Sequence, residues 1–86
     1  GDISSKFYLR FMLVDRPGAM GVLATALGKY AVSISALSQK GVNSGNEPVP
    51  VVAMTHLAKT SDLDAALDEI RNSGVISEEP VKLRVL

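Results

Sequence analysis

Eighty-six residues, 47% of them hydrophobic and 21% charged, make one small globular domain and exclude a disordered tail, a fibre or a second independent core. Nine basic side chains against nine acidic ones leave no net charge, so the electrostatic footprint that nucleic acid requires is missing. With no cysteine and a single histidine, His56, the chain excludes disulfides, a thiolate nucleophile and a cysteine-built or histidine-cluster metal site.

The longest apolar runs, Phe11 to Val14 and Val49 to Met54, fall far short of the roughly 20 residues that span a bilayer, and no signal-peptide core opens the chain. No membrane partner and a cytoplasmic location are therefore expected. From Phe7 the apolar residues Phe7, Leu9, Phe11 and Leu13 alternate with Lys6, Tyr8 and Arg10, the period-two pattern of a half-buried strand whose second face turns apolar at Met12 and Val14. Asp15-Arg16-Pro17-Gly18 ends it with turn chemistry. Met20, Leu23, Leu27 and Tyr30 then recur at helical spacing, predicting a helix over Ala19 to Tyr30. Gly21 and Gly28 inside it each cost about 1 kcal/mol relative to alanine, which points to close approach, to its own sheet in preference to a partner.

Val32, Ile34 and Ala36 alternate with serines until Leu37 breaks the phase, which predicts a second strand with a bulge near its end. Gly41 to Pro48 reads as a mobile hairpin connection. Val49 to His56, apolar on both faces, reads as a central strand. A second helix is expected from Ser61, with Asp64 completing a weak capping box, Asp62 in the first turn, Leu63, Ala66, Leu67 and Ile70 as the apolar stripe, and Gly74 as the C-cap. Val81, Leu83 and Val85 form the last strand, behind Pro80. The order is that of an α+β, ferredoxin-like βαββαβ sandwich: a four-stranded antiparallel sheet with two helices on one face, its first and third strands central. It fills one domain over residues 1–86, with its core over about 6–86.

Fold alone does not select a function. A base-stacking RNA reader would carry aromatics on both central strands, and Val49 to His56 has none. Asp62, Asp64, Asp68 and Glu69 read as the solvated face of the second helix, Glu78 and Glu79 as loop charges, and His56 as a hydrogen-bonded structural histidine. No nucleophile, base and orienting group assemble, so the chain itself is not expected to be a catalyst. What remains is Asp15-Arg16-Pro17-Gly18-Ala19-Met20. A glycine between strand and helix lets backbone N–H groups approach a ligand, a helix N-terminus attracts a carboxylate, and Asp15 can accept from an ammonium group or cap the helix. The same residues also read as a plain turn.

The Asp-x-Pro-Gly loop between an aromatic-rich strand and a helix, followed by Val32-Ser33-Ile34-Ser35, resembles the ACT domain, a small-molecule sensor attached to enzymes of amino-acid metabolism. Ile3 to Arg10, Asp15 to Gly18, Ser33-Ile34-Ser35 with Gln39-Lys40, and above all Val49-Pro50-Val51-Val52-Ala53-Met54-Thr55-His56 resemble the C-terminal ACT segment of bacterial homoserine dehydrogenases. The resemblance implies a C-terminal piece of a larger enzyme that reduces aspartate semialdehyde to homoserine with NAD(P), the cofactor belonging to the absent catalytic domain. It implies an amino-acid ligand, threonine first, held by Asp15, Arg16, Pro17, Gly18, Ala19, Met20 and Ser33, and a homodimer through the second strand and first helix. A module that only dimerises, and an ACT domain of another amino-acid-metabolic enzyme, stand as alternatives. No dinucleotide glycine fingerprint occurs in the chain itself.

Overall fold

The computed structural model describes residues 3–39 and 47–85, in the order β1 (Ser4–Leu13), α1 (Ala19–Lys29), β2 (Ile34–Gln39), β3 (Val49–Thr55), β4 (Ala58–Lys59), α2 (Thr60–Ser73) and β5 (Val81–Val85). The expected hairpin connection lies, for residues 41–46, outside the described residues, as do Lys40 and Leu86 at the ends of their predicted strands. β1 pairs antiparallel with β3 on one side and β5 on the other, and β2 pairs with β3, so the central strands are the first and third, as expected. Both helices lie on the face to which Phe7, Leu9, Phe11 and Leu13 point, and Leu23, Ala26 and Leu27 of α1 with Leu63, Ala66, Leu67 and Ile70 of α2 close the core over them. Among the described residues no helix is long and apolar enough to cross a membrane.

The expected four-stranded sheet gains a short fifth strand. β4 continues β3 along β1 after a bulge, in which Thr55, His56 and Leu57 stand opposite only Lys6 and Phe7. The bulge leaves Phe7 N–H without a ladder carbonyl, and the buried Thr55 hydroxyl accepts it at 3.0 Å. Because β4 pairs right up to its end, α2 begins at Thr60 rather than Ser61: Thr60 N–H donates to the Ile3 carbonyl at 3.0 Å, and no side chain caps the helix. The capping box read from Ser61 and Asp64 does not form. Asp64 instead accepts from Lys82 Nζ at 2.8 Å.

The bulge in β2 lies at its start, between Ile34 and Ala36, not near its end. Ser35 is the extra residue, and its hydroxyl donates to the Met54 carbonyl at 3.1 Å. That insertion restores Leu37 to the helix-side phase opposite buried Ala53, which is why an alternation counted from Val32 breaks there. Gly21 and Gly28 are not packed against the sheet. Both sit on the outer face of α1, where a Cβ would meet nothing within 4 Å.

Candidate functional site

Asp15 to Gly18 turn the chain from β1 into α1 through Ala19 N–H to Arg16 carbonyl, 3.1 Å, and Val22 N–H to Gly18 carbonyl, 3.0 Å. Gly18 stands at the N-cap with φ 86°, a left-handed conformation that favours glycine, so its first role is to make the turn. Asp15 is exposed and caps nothing, since α1 has no side-chain cap. With the Ala19 and Val22 N–H groups bonded in the turn, Met20 and Gly21 are the first-turn residues whose N–H groups have no intrahelical partner, and both line a cleft of about 150 Å³. Leu13, Val14, Asp15, Arg16, Gly18, Ala19, Met20, Gly21, Gln39 and Val49 line it.

Five of the residues expected from the sequence, Asp15, Arg16, Gly18, Ala19 and Met20, are therefore together, with Pro17 exposed in the same turn. Ser33 is not among them. It precedes β2 at the end where its carbonyl accepts His56 N–H at 2.9 Å, whereas Gln39 at the other end of β2 lines the cleft. Six strand residues at about 3.3 Å each put roughly 20 Å between the two ends. From the sequence Gln39 and Val49 are not visible as lining residues, because only the β2–β3 register carries them to the loop; their signal is their place at the facing ends of the two strands.

The loop is stapled to the far end of α2. Arg16 Nη2 donates to the Gly74 carbonyl at 3.2 Å, Val14 N–H to Val75 carbonyl at 2.8 Å, and Ser77 N–H to Met12 carbonyl at 2.9 Å. Arg16 thereby satisfies a terminal helix carbonyl, a favourable place for a cation. A second cavity, about 210 Å³, lies beyond this staple between Arg71, Ile76, Ser77, Glu78 and Glu79. Its guanidinium is already spent: Arg71 bonds Glu79 through Nε and Nη2 and Asp68 through Nη1 at 2.6 to 3.0 Å, and holds the Glu79 carboxyl below the ordinary carboxylate range.

The remaining acids of α2 behave as a solvated face. Glu69 accepts from Lys29 Nζ at 2.7 Å and from the Tyr30 hydroxyl at 3.0 Å, tying the two helices together. His56 is exposed, and the structural hydrogen bond expected of it is made by its neighbour Thr55. Among the described residues no group of three or more His, Cys, Asp or Glu could hold a metal ion. Nor does the loop fit a dinucleotide: its cleft lies below the roughly 300 Å³ of the smaller ligand pockets, and the turn has no glycine-rich pyrophosphate cradle.

No protein-family model matches the chain. It is 38% identical over 85 residues to the homoserine dehydrogenase of Synechocystis, a match that covers 99% of this chain and 19% of that one. The homoserine dehydrogenase of Thiobacillus denitrificans superposes with a TM-score of 0.82 at 24% identity, over 95% of this chain and 17% of its own. The ACT domain of the GTP pyrophosphokinase of Chlorobium tepidum superposes with a TM-score of 0.64 at 14% identity, over 96% of this chain and 100% of its own. The chain spans about a fifth of the length of the curated relatives it matches. In fold the chain is an ACT domain, and in sequence it is similar, over nearly its whole length, to one part of the homoserine dehydrogenases.

Proposed function

We propose that the chain is the regulatory part of a cytoplasmic homoserine dehydrogenase and binds a small amino acid, threonine first, at the Asp15 to Met20 loop. The observation that carries this reading is the cleft lined together by a helix N-terminus without a side-chain cap, Asp15 and Gln39. A zwitterion needs an anion-friendly set of N–H groups for its carboxylate and an acceptor for its ammonium, and Gln39 can both donate to and accept from a side-chain hydroxyl. Reduction of aspartate semialdehyde with NAD(P)H belongs, on this reading, to the remainder of the enzyme.

Ser33 enters through a dimer. Among the described residues β2 pairs only with β3, and all but its first residue are exposed, leaving one backbone edge without a described partner strand. A two-fold axis that pairs this edge with its copy runs the two strands antiparallel, so Ser33 of the partner subunit comes to the Gln39 end and completes the cleft. Thermal unfolding of the chain with threonine, serine, methionine, isoleucine and lysine at millimolar concentration tests the reading. Threonine at 100 times its Kd stabilises by about 2.7 kcal/mol. Asp15→Ala weakens binding by roughly 1–3 kcal/mol. If all five amino acids leave the melting curve unchanged, dimerisation alone remains.

A further inference from the structure

Among the described residues no element covers the face of the sheet opposite the helices. On it the cross-strand pairs Tyr8 with Met54 and Tyr8 with Leu83 join Val52, Val81 and Val85 into one apolar surface, with Leu83 56% exposed. Among the described residues its ionisable strand positions besides Tyr8 are Lys6 and Arg10 on the central strand β1 and Lys59, opposite Ser4, on β4, and no strand position of this face carries a carboxylate. The acids among the described residues lie elsewhere, on α2 and in the loops.

We propose that this face docks on an apolar, carboxylate-bearing surface of the body of its own parent enzyme, a deepening that rests on the reading of the chain as part of a longer dehydrogenase. Charge excludes the simplest rival. Stacking two copies face to face at about 10 Å would bring six cations, Lys6, Arg10 and Lys59 of each copy, together with no strand counter-charge. Size points to a tethered occupant: four strands about 4.8 Å apart, each contributing some five residues at about 3.3 Å, give a footprint of roughly 300 Å². That is below the roughly 800 Å² per partner of free-standing complexes, whereas a covalent tether supplies a millimolar effective concentration.

Because the 86-residue chain has no cysteine, an introduced thiol reports on the face, its labelling read in both proteins at its own peptide by mass spectrometry. Leu83→Cys should react with a maleimide at least about tenfold more slowly in the full-length enzyme than in the 86-residue chain, as expected for a site that is freed only by undocking. Arg84→Cys, on the opposite side of β5, should react alike in both. Adding Arg10→Glu to the full-length protein should restore fast labelling at position 83, and Arg10→Lys should not. Equal rates at position 83 in both proteins, protection in the 86-residue chain that grows with its concentration, or indifference to Arg10→Glu would each overturn the proposal. The threonine-dependent melting shift of the Leu83→Cys chain is read separately, and its loss speaks against the loop site and not against the face.

Discussion

The hydroxyl of Thr55 accepts the backbone N–H of Phe7 at 3.0 Å, and Thr55 is the one buried polar side chain among the described residues. This contact replaces the ladder bond that the β3–β4 bulge removes from β1, at the point where His56 N–H also ties β3 to Ser33. A buried N–H left without an acceptor costs about 1–3 kcal/mol, so Thr55→Val, though similar in shape, should destabilise by that amount. Thr55→Ser keeps the acceptor and should lose less. Urea unfolding of the three proteins checks the order, and a Thr55→Val chain as stable as the parent would show that the hydroxyl is dispensable.

The two helices end with the same backbone conformation and different residues. After α1, Val32 N–H reaches the Leu27 carbonyl at 2.9 Å and Ala31 N–H the Gly28 carbonyl at 3.1 Å, a Schellman closure that places Ala31 at φ 62°. After α2, Gly74 stands at φ 82°. An L-residue in the left-handed region costs roughly 1–2 kcal/mol, partly offset by the greater chain entropy of glycine when unfolded. Ala31→Gly should therefore stabilise by about 0.5–1 kcal/mol, and Gly74→Ala should destabilise by about 1 kcal/mol. Opposite signs in matched denaturation curves are the expected result.

That contrast shows how much of the fold was legible in the residues. The periodicities of Phe7 to Leu13 and of Leu63 to Ile70 are carried by side chains whose burial sets their spacing, and Gly74 marks a turn only it adopts easily. What alternation cannot reveal is a bulge. Ser35 and the Thr55–Leu57 step each add a residue that only the partner strand's register exposes, and the strand β4 and the start of α2 follow from the second of these. The turn that lines the cleft was legible through Asp15 to Gly18, because turn chemistry is local. Gln39 and Val49 reach it through long-range pairing, and the distance of Ser33 from the cleft is a property of strand length.

Glu69 and Glu79 set a modest dependence on acid. Hydrogen bonds from Lys29 and then Tyr30 hold the Glu69 carboxyl below its ordinary 4.5, and Arg71 does the same for Glu79. A carboxyl whose folded pKa is depressed contributes fully above its unfolded value and loses that contribution as pH falls through the folded value. Both groups are solvent-exposed, so the contribution is small and salt-sensitive. The stability gap between the parent chain and Glu69→Gln should be constant near neutral pH and close below about pH 4 in urea titrations. A gap that widens on acidification would contradict the ion pair.

The outer face of α1 separates the monomer from the proposed dimer. Gly28 is helical and exposed, with nothing within 4 Å of a would-be Cβ, so Gly28→Ala in an isolated chain removes a poor helix former at no steric cost and should stabilise by about 1 kcal/mol. If two copies join through β2 and α1, the same position lies near the seam, and Val22 of α1 at 42% and Leu37 of β2 at 49% exposure stand on the elements that form it. Larger side chains there should then hold the helices apart. Gly28→Leu is expected to leave the monomer folded yet raise the dimer dissociation constant, and Leu37→Lys should do the same by placing a charge at the edge. Sedimentation at tens of micromolar reads the outcome. A chain that is monomeric before any substitution, or a dimer indifferent to both variants, would remove the seam, and with it the route by which Ser33 of the partner subunit reaches the cleft.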